Sequence, residues 1–238
     1  MSDTLNLVER PDGTIVNETN GDPAVRRIQG YRRYVIAADL GQANDWTASV
    51  VIEDEQLPVL NDGICELGPR KLTVVHADRF RGVSYVSVCD YLVQLKNAQP
   101  WASKSHLVID GTSIGRVMSD MLTEANVPHT AVQMTAGQEW RRAGKYVNAS
   151  KTLMIENTAV LFAAGELKIA HDCPLKDAIV ADLGTFTIET TAAGNSIISQ
   201  QRSSGGHGDL GIALVVGSFY CQYLKPQLTA QGSLRGWF

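Results

Sequence analysis

Residues 34–53 read YVIAADLGQANDWTASVVIE. The first part, YVIAADL, is an apolar run interrupted only by Asp39 and closed by Gly41; the last part, TASVVIE, is a second run with β-branched content. Short apolar runs bounded by turn-forming residues read as strands, here joined by a tight connection. Residues 54–69 are acidic and carry Pro58, Gly63 and Gly68, which reads as a long turn, and residues 71–77, KLTVVHA, form a third run. Three strands in succession imply an antiparallel meander.

The period then changes. Tyr85, Val88, Cys89, Leu92 and Leu95 recur at three- and four-residue spacing, as on one face of a helix that Ser84 is placed to cap. Residues 106–110, HLVID, read as a buried strand, 114–125 as a helix with Val117, Met118, Met121 and Leu122 inward, and 129–134 as another strand. A helix follows over 150–164, stopped by Gly165, then a shorter one from Pro174 to Leu183 and a late strand near 196–201. The last element, 208–224, is apolar around most of its circumference and so packs on both sides, ending before Lys225 and Pro226. A meander followed by alternating helices and strands is an α/β architecture, a mixed sheet flanked by helices.

A chain of 238 residues suits one large core. Residues 1–30, rich in Asn, Asp, Thr, Gly and Pro without periodicity, read as a tail or linker, 31–225 as the domain and 226–238 as a C-terminal tail. Hydrophobic residues at 44% and charged residues at 19% are ordinary for a globular protein and exclude fibrous or wholly disordered classes. No apolar run approaches the roughly 20 residues of a membrane span, and the start lacks a basic segment followed by an apolar one, so a cytoplasmic protein is expected. Cys65, Cys89, Cys173 and Cys221 are far apart, with no C-x-x-C pair and no histidine at zinc spacing, and are expected to be free thiols. The net charge of −4 weighs against a dedicated basic nucleic-acid binder. It agrees with a site that gathers carboxylates inside a local basic rim.

Three acids stand out by position. Asp39 and Asp110 each close an apolar strand, where an acid is costly unless it has a partner. If those strands are central neighbours, both carboxylates emerge at one edge of the sheet, within reach of a shared ion. Asp209, in SSGGHGDLGIAL, sits where a glycine-rich loop meets the last helix. Each also has a plainer explanation: a turn-initiating Asp at 39, a cap for the following helix at 110, and an acid favoured by the helix dipole at 209. Carboxylates suit Mg²⁺ and Mn²⁺, which prefer hard oxygen ligands.

The order DLGQANDWTA, VIDGTSIG, GELKI and HGDLGIAL resembles the nuclease domain of phage terminase large subunits over about residues 34–223. The resemblance implies a ribonuclease H-like fold and an acidic triad, Asp39, Asp110 and Asp209, holding two Mg²⁺ or Mn²⁺ ions. It further implies an endonuclease that cuts concatemeric double-stranded DNA during genome packaging, in the cytoplasm of a bacterial host. Its partners would be double-stranded DNA, an ATPase motor domain, a terminase small subunit and a portal, with no membrane. The family shows two adjacent acids after the histidine; here Gly208 takes the first position, which puts full metal affinity in doubt. No G-x-x-x-x-G-K-[ST] phosphate loop occurs, so this chain carries no ATP motor of its own.

Asp45 and His207 are candidates for a supporting shell, with a surface hairpin acid and a loop residue as the alternatives. Arg141, Arg142 and Lys145, beside Trp140 and Tyr146, form a basic-aromatic cluster suited to gripping phosphate and stacking on a base, or else a solvated basic loop. Lys151, Arg79 and Arg81 are further cations that either meet phosphate or lie exposed. Three other functions stay open: a Holliday-junction resolvase, an actin-like kinase domain suggested by DLGQAN and DGTSIG, and a catalytically weak DNA-binding module.

Overall fold

A computed structural model describes residues 5–18, 28–41, 45–190, 196–200 and 208–224. The quoted stretch forms two long strands, β3 (Gln29–Asp39) and β4 (Thr47–Gln56), paired antiparallel with Asp39 opposite Ala48. β4 pairs antiparallel with β7 (Lys71–Phe80), completing the meander. On its other side β3 pairs parallel with β8 (Ser105–Asp110), and β8 pairs parallel with β9 (His129–Thr135). β11 (Tyr146–Ser150) joins β9 in parallel, with β10 (Trp140–Ala143) antiparallel at that edge. β12 (Leu167–Ile169) lies parallel to β7 at the other edge.

Five helices surround the sheet among the described residues: α1 (Tyr85–Lys96), α2 (Ile114–Glu124), α3 (Lys151–Ala163), α4 (Lys176–Leu183) and α5 (Asp209–Phe219), the last continuing as a π turn over Tyr220–Leu224. Ser84 caps α1 by accepting the Ser87 amide, and Ser150 caps α3 by accepting that of Leu153.

The continuous apolar reading of 35–38 is explained by burial on both faces. Alternation sends Val35 and Ala37 toward a core built with α3 and α5, and Ile36 and Ala38 toward a second core with α1 and α2. Every residue of α5 is buried, which accounts for a helix with no polar face. Fully buried side chains such as Ile36, Ile52 and Phe219 each contribute roughly 1.5–3 kcal/mol relative to exposure.

Four expectations need correction. The segment expected to be an N-terminal tail contains β1 (Leu7–Glu9) and β2 (Thr14–Asn17), a hairpin whose second strand pairs with β3. Its strands are too short to show a period, and they are held from a distance: Arg32 on β3 reaches Glu9 at 2.6 Å. The long turn after β4 holds another hairpin, β5 (Pro58–Asn61) with β6 (Ile64–Leu67). Residues 140–143, open to a loop reading, form the edge strand β10. Val117, expected inward, is 48% exposed, whereas Met118 and Leu122 are buried. A late hairpin, β13 (Phe186–Thr190) with β14 (Ser196–Gln200), covers most of the expected late strand, and the expected C-terminal tail lies outside the described residues. No helix among the described residues is long and apolar enough to cross a membrane, and none of the four cysteines, all of them described, is joined in a disulfide.

Candidate active site

The parallel pairing of β3 with β8 brings the ends of both strands to one edge of the sheet, so the carboxylates of Asp39 and Asp110 emerge side by side. α5 packs across β3, β4 and β8 and begins at the same edge, delivering Asp209 to them. The three acids line one cleft of about 280 Å³ together with Asp45, Trp46, Thr112 and Ser113.

Local chemistry sets each side chain. Asp110 accepts the Thr112 amide at 2.8 Å, and the Thr112 hydroxyl accepts the Met134 amide at 3.2 Å, tying the loop after β8 to β9. Gly115 permits α2 to start there: a Cβ at that position would stand 1.8 Å from the Asp110 carbonyl oxygen. Asp182 on α4 accepts the Leu210 amide at 3.0 Å, using one of the free donors at the start of α5. That bond fixes where Asp209 stands, and sequence reading missed it. Its only sequence signal was an acid on the otherwise mostly apolar run 178–183, AIVADL.

Burial pushes the Asp39 carboxyl well above its ordinary range, and the charges of Asp110 and Asp209 push it further. The Leu40 amide and the Lys151 ammonium oppose this. Asp110 is raised by burial as well, against the pull of Thr112 and Lys151. Like charges near one another disfavour the ionised form, so the cleft holds electrostatic strain that a cation would relieve. Among the described residues, however, no three His, Cys, Asp or Glu side chains converge tightly enough to hold an ion as they stand. The three acids share a cleft without closing on one point.

The other candidates divide. Asp45 lines the cleft and is exposed. Lys151, first residue of α3, acts electrostatically on both Asp39 and Asp110. Lys145 is drawn aside, its ammonium 2.5 Å from Asp120 on the exposed surface. Arg141 and Arg142 stand exposed on β10, and Arg141 lines a separate hollow of about 470 Å³ with Trp140, Gly137 and Asn148. His207 lies outside the described residues. Gly208 has φ +79°, a left-handed conformation that favours glycine at this cap.

Solved structures share this fold. The chain resembles the large terminase nuclease from thermophilic phage G20c with bound magnesium, at TM-score 0.52 and 19% identity over 90% of each chain. The fold is that of a large-terminase nuclease. The Thermus phage P74-26 large terminase nuclease domain is alike at TM-score 0.52 and 20% identity, over 91% of this chain and 90% of that one. The large terminase of another thermophilic bacteriophage matches over 90% of this chain but 45% of its own, at TM-score 0.53 and 11% identity. No family model and no curated protein matches the chain. The large-terminase fold carries the expected ribonuclease H-like plan, with its central mixed sheet flanked by helices.

Proposed function

We propose that this chain is a divalent-metal-dependent endonuclease that cuts double-stranded DNA, as a terminase cuts concatemeric phage DNA during packaging. The observation that carries this is the convergence of Asp39, Asp110 and Asp209, from two parallel strand ends and a buried helix start, on one cleft. Bound Mg²⁺ or Mn²⁺ would supply a lowered pKa for an attacking water and neutralise charge at the leaving oxygen. Magnesium in the G20c nuclease agrees with that chemistry.

The roles of this chain's residues follow from their chemistry. Asp39, flanked by acids, would hold the ions together with Asp110 and Asp209 through their carboxylate oxygens. A bound cation would relieve the repulsion among the three carboxylates. Asp45 and His207 support that shell. Lys151 offsets charge at the mouth, and Arg141 and Arg142 hold duplex backbone further out. A motor domain, a small subunit and a portal are the partners this role requires, in the cytoplasm of a bacterial host.

Incubation of purified protein with supercoiled plasmid tests the proposal. Mn²⁺ or Mg²⁺ should support nicking and linearisation with little sequence preference, Ca²⁺ should not, and Asp39→Asn should abolish it. Plasmid that survives prolonged incubation with Mn²⁺ overturns the catalytic reading. Preference for branched over linear DNA would replace it with a junction resolvase.

A further inference from the structure

Next to the acidic cleft, two arginines meet on one of its lining residues. Trp46 lines the cleft immediately before β4. Asp39 lies opposite Ala48 on β4, and Ala48 opposite Arg79 on β7, so the three form one row across the sheet. Residues directly opposite each other in antiparallel strands share a face, here the one that α5 covers. Two strand spacings of about 4.8 Å put Arg79 about 10 Å from Asp39 along that row. Its guanidinium lies 4.9 Å from the centre of the Trp46 ring, and that of Arg81 lies 4.7 Å from the same ring.

Two like charges gathered on one indole repel each other, and an anion held by both would relieve that repulsion. Arg79 has Asp182 at 3.9 Å, beyond hydrogen-bond length. Arg81 is exposed and, among the described residues, has no carboxylate within ion-pair distance. A guanidinium held within about 6 Å of an aromatic face keeps N–H donors in the fork that matches a phosphate. Asp182 also holds the Leu210 amide beside Asp209, so the arginine wall and the acidic cleft are tied through one carboxylate and keep a set spacing.

We propose that Trp46, Arg79 and Arg81 form a phosphate clamp that grips the backbone of the DNA strand being cut, to one side of the acidic cleft. The clamp rests on the nuclease reading above and adds to it the polarity with which a strand enters. Unneutralised carboxylates repel the phosphodiester, and a flanking arginine pair supplies the attraction that brings it in.

Fluorescence anisotropy with a labelled linear duplex, in Ca²⁺ so that substrate is not consumed, reads the clamp directly. Arg81→Ala should lower the slope of log affinity against log salt by about 0.9, the release expected for one lost phosphate contact. Arg81→Lys should keep the slope, because the charge remains. Trp46→Leu, its fold checked by Tm, should weaken binding several-fold by freeing both guanidiniums. The rise in Tm on adding Mn²⁺ should match the parent in both Arg81 variants, since the acids are untouched. Duplex binding by the parent with an unchanged slope in Arg81→Ala overturns the clamp and leaves the nuclease standing. A parent that neither binds nor cuts duplex takes both down.

Discussion

Two aspartates on one strand pair, both drawn out of bulk water, have opposite fates. Asp39, at the end of β3 nearest the cleft, sits among acids and its carboxyl is pushed well up. Asp54, toward the other end of β4 and opposite Arg33, has no side-chain exposure, yet its carboxyl is held below the ordinary range. Arg33 grips it with two bonds of 2.9 and 2.7 Å, Arg70 with two of 2.7 and 2.8 Å, and the Tyr31 hydroxyl adds one of 3.2 Å. Burial penalises both carboxylates, so the sign of the neighbours decides which acid is held ionised and which is left in repulsion.

The two ends are mechanically joined. Arg70, besides holding Asp54, donates to the Cys221 carbonyl at 2.7 Å, and Tyr220 stacks on His106 at 4.6 Å. α5 is therefore pinned beyond its far end by Arg70 and at its start by Asp182, which is what keeps Asp209 at the cleft.

The contrast breaks most visibly at Asp54. Asp54→Ala leaves two arginines without their buried partner and should destabilise the fold by about 3–5 kcal/mol, read by denaturant unfolding. Asp39→Asn with Asp110→Asn should not, because it removes repulsion; a double variant that unfolds as readily would make the cleft acids structural.

Next in size is the response to metal. Mn²⁺ at about 100 times its dissociation constant should stabilise the parent by roughly 2.7 kcal/mol, visible in a thermal scan. The Asp39→Asn, Asp110→Asn variant should lose that shift, and a full shift in the variant would remove these residues from the metal site.

Acidity sharpens the same comparison in metal-free protein. Asp39 and Asp110 have folded pKa values above the ordinary 3.8, so their penalty is absent below that pH and grows as pH climbs through the raised values. The double Asn variant should therefore outlast the parent most at neutral pH, with the Tm difference closing as pH falls toward 3.8. Asp54, lowered instead, contributes above 3.8 and loses its contribution as pH falls through its folded value. A Tm difference that stays constant with pH would contradict the electrostatic strain assigned to the cleft.

The smallest effect belongs to the exposed edge strand. Arg141→Ala with Arg142→Ala should flatten the salt dependence of DNA binding by up to about two contacts' worth of counterion release while leaving Tm unchanged. An unaltered slope would place β10 away from DNA.

The meander, the parallel partner strand and the three acids are legible in the amino-acid order alone, because each is written locally: apolar runs of the right length, turn residues between them, and an acid closing a run where it is out of place. The caps at Ser84 and Ser150 are legible in the same way. The N-terminal hairpin, the β5–β6 hairpin and β10 are not, since short strands gain their stability from partners distant in the chain rather than from their own period. Nor does the order of residues distinguish Asp54 from Asp39. Both are acids beside apolar strands, and it took the folded chain to bring Arg33, Arg70 and Tyr31 to the first and Asp110 and Asp209 to the second. The same holds for Trp46, whose two arginines arrive from β7 and the residue just beyond it. A chain specifies locally where its strands and charges lie; which charges meet is decided by strand register and helix packing, because Coulomb interactions depend on separation in space and not along the chain.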